Sequence, residues 1–83
     1  MTHELVMDEV VIGIASRYLD DDPAGLREVL AAIDGLLDDP WPDNSFRIGN
    51  SPAGRLRVGP YRVVYEVEDT AIKIRHLART APP

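Results

Sequence analysis

The sequence predicts an α+β domain: a short N-terminal strand, then two helices packed on one face of an antiparallel sheet of three to four strands. The stretch from Arg55 to Arg79, RLRVGPYRVVYEVEDTAIKIRHLAR, alternates apolar and polar residues and is broken at two turn points, so it reads as three antiparallel strands. Upstream, Leu26, Val29, Leu30, Ile33, Leu36 and Leu37 recur at helical spacing and supply an apolar stripe to cover that sheet. The 83 residues allow one domain over 1–83, since a chain of this size buries only about 60% of its unfolded surface and has no room for a second module.

The elements follow in chain order. His3, Leu5 and Met7 alternate over residues 3–7, which fits a short first strand able to pair with a free edge of the later sheet. Asp8 is an N-cap with Glu9 in the first turn, and a helix extends to about Leu19 with Val11, Ile14, Ala15 and Tyr18 at helical spacing. Gly13 and the β-branched Val10, Val11 and Ile12 weaken that helix's intrinsic propensity. Asp20, Asp21 and Asp22 invite a calcium or magnesium reading, but Asp22 before Pro23 is the cap-plus-first-turn signature of a helix start and no EF-hand spacing follows. The second helix runs from Pro23 to about Asp38, where Pro40 stops it; Asp38 and Asp39 sit badly at its negative end. Trp41 to Gly54 is a Pro-, Gly-, Asn- and Ser-rich loop with a brief extended piece at Phe46 to Ile48. Trp41 and Phe46 are expected to anchor the core rather than to stack on bases, because neither is flanked by a dense basic run.

Turn chemistry sets the sheet register. Gly59-Pro60 fits a two-residue type II′ hairpin, in which Gly supplies the positive φ, so Val58 faces Tyr61, Arg57 faces Arg62, Leu56 faces Val63 and Arg55 faces Val64. With Asp69-Thr70 as the second turn, Val67 faces Ile72, Glu66 faces Lys73, Tyr65 faces Ile74 and Val64 faces Arg75. One face then carries Leu56, Val58, Tyr61, Val63, Tyr65, Val67, Ile72 and Ile74. Six cations, Arg55, Arg57, Arg62, Lys73, Arg75 and Arg79, gather on the other, tempered by Glu66 and Glu68. Tyr61, Tyr65 and His76 are expected to point to the core, and Glu66 to pair with Lys73. The tail from Thr80 to Pro83 is expected to fray.

Composition narrows the function. The chain has no cysteine, so disulfides and thiolate metal sites are excluded, and two isolated histidines, His3 and His76, do not make a metal site. Neither a metal nor another cofactor is expected. The first residues are acidic where a signal peptide would be basic, and no run approaches the roughly 18 apolar residues of a membrane span, so a cytoplasmic protein with no membrane partner is expected. The net charge of −5 argues against a nucleic-acid partner, yet residues 1–43 hold two cations against eleven acids while residues 44–83 hold seven against three. That asymmetry, and the local conflict of Arg57 opposite Arg62, favour an anion-binding surface over a plain solvated face.

The segment RLRVGPYRVVYEVED, the acidic Asp-Pro end of the second helix and the closing IRHLAR resemble the RelE/ParE superfamily, the toxins of type II toxin–antitoxin pairs. The resemblance spans nearly the whole chain and implies a cognate antitoxin as partner. RelE-type members are ribosome-dependent, metal-independent mRNA endoribonucleases that inhibit translation, so it also implies RNA binding, with the ribosome and mRNA as partners. By position it assigns catalytic roles to Arg55 and Arg57 before the hairpin turn, Arg62 after the turn tyrosine and Arg79 closing the last strand; Lys73 and Arg75, the other two cations that the register gathers on this face, are expected to bind RNA. Many RelE-type toxins carry a tyrosine, or a histidine with a tyrosine, beyond that last arginine. Here the chain reads Thr80-Ala81-Pro82-Pro83, which keeps open a gyrase-binding toxin like the ParE branch, or a non-toxic member of the fold.

Overall fold

A computed structural model describes residues 3–80. The order is β1 (Glu4–Met7), α1 (Glu9–Asp21), α2 (Pro23–Gly35), β2 (Ser45–Arg47), β3 (Ala53–Val58), β4 (Tyr61–Val67) and β5 (Ala71–Arg79). The strands form one sheet in the order β1-β5-β4-β3-β2, with β1 parallel to β5 and every other pair antiparallel. The α+β class and the helical cover are as expected, while the sheet has five strands and is mixed. The extra strand is β2, the extended piece of the loop, shifted by a residue from Phe46–Ile48 and hydrogen-bonded along β3.

Local chemistry explains the helices. The Asp8 carboxylate accepts the Val11 N–H at 2.9 Å and opens α1, and burial of Val11 outweighs the weak propensity of the residues around it. Asp22 accepts the Gly25 N–H at 3.1 Å and opens α2 at Pro23. Leu26, Val29, Ile33 and Leu36 are buried, with Leu30 and Leu37 partly buried against the same core. The helix ends at Gly35, sooner than expected, and continues as turns to Asp38. Asp39 then accepts the Trp41 N–H at 3.1 Å, a local role for an acid the sequence left unexplained.

Gly59 has φ 57°, and β3 pairs with β4 in the predicted register, Arg57 opposite Arg62 included. From Val67 to Tyr65 the β4–β5 register also follows expectation; between Tyr65 and Val64 it shifts by one residue. Tyr65 faces Ile74, but Val64 faces His76, leaving Arg75 as the extra residue of a β-bulge. Because side chains alternate with period two, everything beyond the bulge changes face. The reason lies in Leu77. Strict alternation would expose it and bury His76, whereas the bulge seats Leu77 against Val63 with 2% exposure and leaves His76 exposed. Burial of a leucine contributes about 1.5–3 kcal/mol, enough to offset a locally disrupted ladder.

The same shift carries Arg79 opposite Tyr61, on the helix side. Thr80, expected to fray, is held: its N–H donates to the Pro60 carbonyl at 2.7 Å and its hydroxyl to the same oxygen at 3.0 Å. The rest of the expected frayed tail, 81–83, lies outside the described residues. Trp41 anchors the core edge beside Tyr65, with ring centroids 5.7 Å apart. Phe46 does not: it is 58% exposed and opposite Arg55 on the outer face.

The bulge has a direct test. Leu77→Ala should lower the unfolding free energy by about 2–5 kcal/mol, while His76→Ala should stay within about 0.5 kcal/mol, both read from urea titrations. The reverse ranking would restore the unbulged register.

Candidate nucleic-acid interface

The sheet face turned away from the helices is built in rows across the strands. One row runs Phe46, Arg55, Val64, His76 through β2, β3, β4 and β5; beside it runs Arg57, Arg62, Ala78. Asn44 fixes the edge of the second row, donating from its side chain to the Arg57 carbonyl at 2.9 Å and accepting the Arg57 N–H at 3.0 Å through its own carbonyl. Like charges directly opposite one another, as Arg57 and Arg62 are, cost about 0.2–1 kcal/mol.

The cations of this face divide into two groups. Lys73 pairs with Glu68 at 2.9 Å and Arg75 with Glu66 at 3.1 Å, so the expected Glu66–Lys73 ion pair is replaced by two other pairings, although the backbone register between those residues holds. Both pairs run off the directly facing position: Lys73 faces Glu66 across the ladder but meets Glu68, two residues along, which leaves Glu66 to the bulged Arg75. Exposed pairs of this kind contribute at most about 1 kcal/mol, but they neutralise one end of the face. Arg55, Arg57 and Arg62 make no ion pair among the described residues. The expected cluster of six thus becomes three unpaired guanidiniums and two paired cations, with Arg79 elsewhere.

Arg79 joins β5 to the elbow between the helices. It donates to the Asp21 carboxylate at 2.5 Å, and its guanidinium lies 4.9 Å from the Tyr18 ring centroid. Next to it the Tyr61 hydroxyl donates to Asp22 at 3.0 Å, the same carboxylate that caps α2, and the Tyr18 and Tyr61 rings meet edge to face at 5.5 Å. The acidic triplet therefore docks the last strand as well as starting a helix. Its hydrogen bond to Asp21, seconded by Tyr61, holds the Arg79 guanidinium above its ordinary value. A shallow concavity of about 400 Å³ lined by Ile14, Arg17, Tyr18, Asp21 and Arg79 lies on this side, away from the cationic rows.

The buried tyrosines point to the core as expected. Tyr65 donates to the Pro40 carbonyl at 2.6 Å. It also lies where a side chain on Gly54 would collide: a β-carbon there would come within 2.6 Å of Trp41 and 2.8 Å of the Tyr65 ring. Among the described residues no group of three His, Cys, Asp or Glu is placed to hold a metal ion, and no helix is long and apolar enough to cross a membrane. The outer face can therefore bind and polarise an anion through guanidiniums, which donate hydrogen bonds but do not release protons.

Sequence reasoning missed two members of this face, Phe46 and His76. The signal for His76 was present: Leu77 is the large apolar residue out of step with the alternation that precedes it.

No protein-family model matches the chain, and no curated protein does. Solved structures do match. The archaeal RelE–RelB complex from Pyrococcus horikoshii aligns with a TM-score of 0.82 at 26% identity over 95% of this chain and 96% of that one. An arginine-to-alanine double mutant of Escherichia coli toxin RelE in the free state aligns at 0.73 and 19% identity, covering 95% and 84%. The YoeB dimer from Staphylococcus aureus aligns at 0.72 and 11% identity over the full length of both chains. The fold is that of the RelE/ParE toxin superfamily.

Burial raises the Tyr61 and Tyr65 phenols above the ordinary value of 10.0. A raised phenol contributes stability that is fully present below the unfolded value and lost as pH rises through the folded one. Resistance to urea should therefore decline above about pH 10, and Tyr61→Phe should flatten that decline while costing about 1 kcal/mol at neutral pH for the lost hydrogen bond. Separately, Gly54→Ala should destabilise by about 1–3 kcal/mol through overpacking, seen as a lowered thermal midpoint.

Proposed function

We propose that this chain is the toxin of a type II toxin–antitoxin pair and cuts ribosome-bound mRNA at the outer face of its sheet. The observation that carries the reading is the set of three unpaired guanidiniums, Arg55, Arg57 and Arg62, on one face of an acidic protein with the RelE fold. The RelE–RelB complex supports an antitoxin as partner. Val6, Val10, Ile12 and Leu19 are exposed on β1 and α1, which gives such a partner apolar surface to cover.

The chemistry follows from the residues present. The ribose 2′-hydroxyl attacks the adjacent phosphorus and the 5′-oxygen leaves, a reaction that needs neither a metal nor a nucleophilic side chain. Arg57 and Arg62, side by side, hold the non-bridging oxygens and offset the added negative charge of the pentacoordinate transition state, where one well-placed donor contributes about 3–4 kcal/mol. Arg55 holds the neighbouring phosphate. Lys73 and Arg75, engaged by acids, add RNA attraction at the margin. Arg79 is left out of this site because it faces the helices. The ribosome supplies the fixed substrate geometry on which three side chains alone act poorly.

Arg62→Ala should abolish growth inhibition and reduce mRNA cleavage by about 10²–10³-fold with the circular dichroism spectrum unchanged, while Lys73→Ala should do little. Binding to single-stranded RNA should weaken with salt at a logarithmic slope near −2, as expected for about three phosphate contacts; Arg57→Glu should reduce that slope. Wild-type expression that arrests growth without new mRNA ends, and with gyrase inhibited, would replace this reading with the gyrase-binding one. Expression without any growth effect would favour a non-toxic member of the fold.

A further inference from the structure

We propose that His76 is the general base of this site, taking the proton from the attacking 2′-hydroxyl. The inference rests on the ribonuclease reading above and deepens it, since the arginines alone leave proton transfer without a carrier. The bulge at Arg75 turns the imidazole onto the outer face, directly opposite Val64 and diagonal to Arg62. Diagonal neighbours on a sheet face lie about 7–8 Å apart, within reach of long side chains converging on one group. Arg62 is itself opposite Ala78, whose single methyl leaves the floor beside His76 and Arg62 open. A phosphodiester bridged by Arg57 and Arg62 would therefore lie beside the imidazole.

The other proton acceptors near this surface are engaged or turned away. Glu66 is held by Arg75 and Glu68 by Lys73. The Tyr61 and Tyr65 hydroxyls lie on the core side, bonded to Asp22 and Pro40. The charged groups facing this surface are Arg55 and Arg57 from β3, Arg62 and Glu66 from β4, and Lys73 and Arg75 from β5 itself. From the other side β1 pairs only as far as Ile74 and sets Val6 opposite Lys73, so it brings no charge beside His76. Among these side-chain types, imidazole is the one that exchanges a proton near neutral pH.

The step balances without a co-reactant. A ring nitrogen of neutral His76 removes the 2′-hydroxyl proton as the 2′-oxygen bonds to phosphorus. The bond from phosphorus to the 5′-oxygen breaks, and that oxygen takes its proton from water. The imidazolium then returns its proton to solvent, leaving a 2′,3′-cyclic phosphate and a 5′-hydroxyl. Phe46, exposed at the far end of the same row, offers a ring against which a base of the bound strand can stack.

The test is single-turnover cleavage of mRNA on programmed ribosomes across a pH series, with wild type, His76→Gln, His76→Ala and Arg62→Ala. General-base loss should slow cleavage by about 10²–10⁴-fold and remove the acid limb of the pH profile, while ribosome binding stays unchanged; imidazole in the buffer should restore part of the His76→Ala rate. Cleavage within about two-fold of wild type, or an unaltered pH profile, would overturn the assignment while leaving the ribonuclease reading intact. If wild type binds programmed ribosomes but cuts nothing, both fall. An independent readout uses the imidazole resonances of the two histidines. Inorganic phosphate should shift His76 but not His3, whose ring lies 3.3 Å from the Leu37 carbonyl oxygen, and Arg62→Ala should abolish that shift. A silent His76 resonance would count against the site.

Discussion

Burial of Leu77 is the constraint on which both faces of this sheet depend. One apolar side chain out of phase with its strand forces the last four residues of β5 to turn over, and the backbone accommodates this by leaving Arg75 unmatched. From that single shift follow the exposure of His76 and the placement of Arg79 opposite Tyr61. A strand without the bulge would hold the same residues but divide them differently, with an arginine added to the outer face and an imidazole removed from it.

The helical elbow shows how acidic residues serve several ends at once. Asp22 starts α2 and accepts the Tyr61 hydroxyl, while Asp21 holds Arg79. The end of β5 is thus tied to the helices through side chains and to the β3–β4 turn through Thr80. A strand secured from both directions keeps its register to the last residue, and the geometry of the outer face depends on that register.

Most of the fold was legible because period and turn chemistry agree. The alternation around Gly59-Pro60 and Asp69-Thr70 gave the observed pairing from Leu56 to Val63 and from Tyr65 to Ile74, and Asp8 and Asp22 marked the two helix starts. The miss at Arg79 and His76 came from extending a period-two rule through a place where packing broke it. Phe46 was misplaced for a different reason: three residues of β2 carry too little pattern to show which face they present. Arg55, Arg57 and Arg62 share one face as expected because they lie on strands flanking a turn with fixed geometry, whereas the ion pairs of Lys73 and Arg75 depended on diagonal contacts that a residue-by-residue register does not resolve.

The separation of acidic helices from a cationic sheet gives the molecule a large electric dipole, and its size decides how that dipole acts. The protein is 19 Å across its shortest axis, more than twice the screening length of about 8 Å at physiological ionic strength. A polyanion at a distance meets a weak net repulsion and is neither concentrated nor steered. Only when the sheet comes within a screening length do the guanidiniums act without opposition from the acids behind them. Within that distance the sheet face, and not the net charge of −5, sets what the molecule presents to an anion.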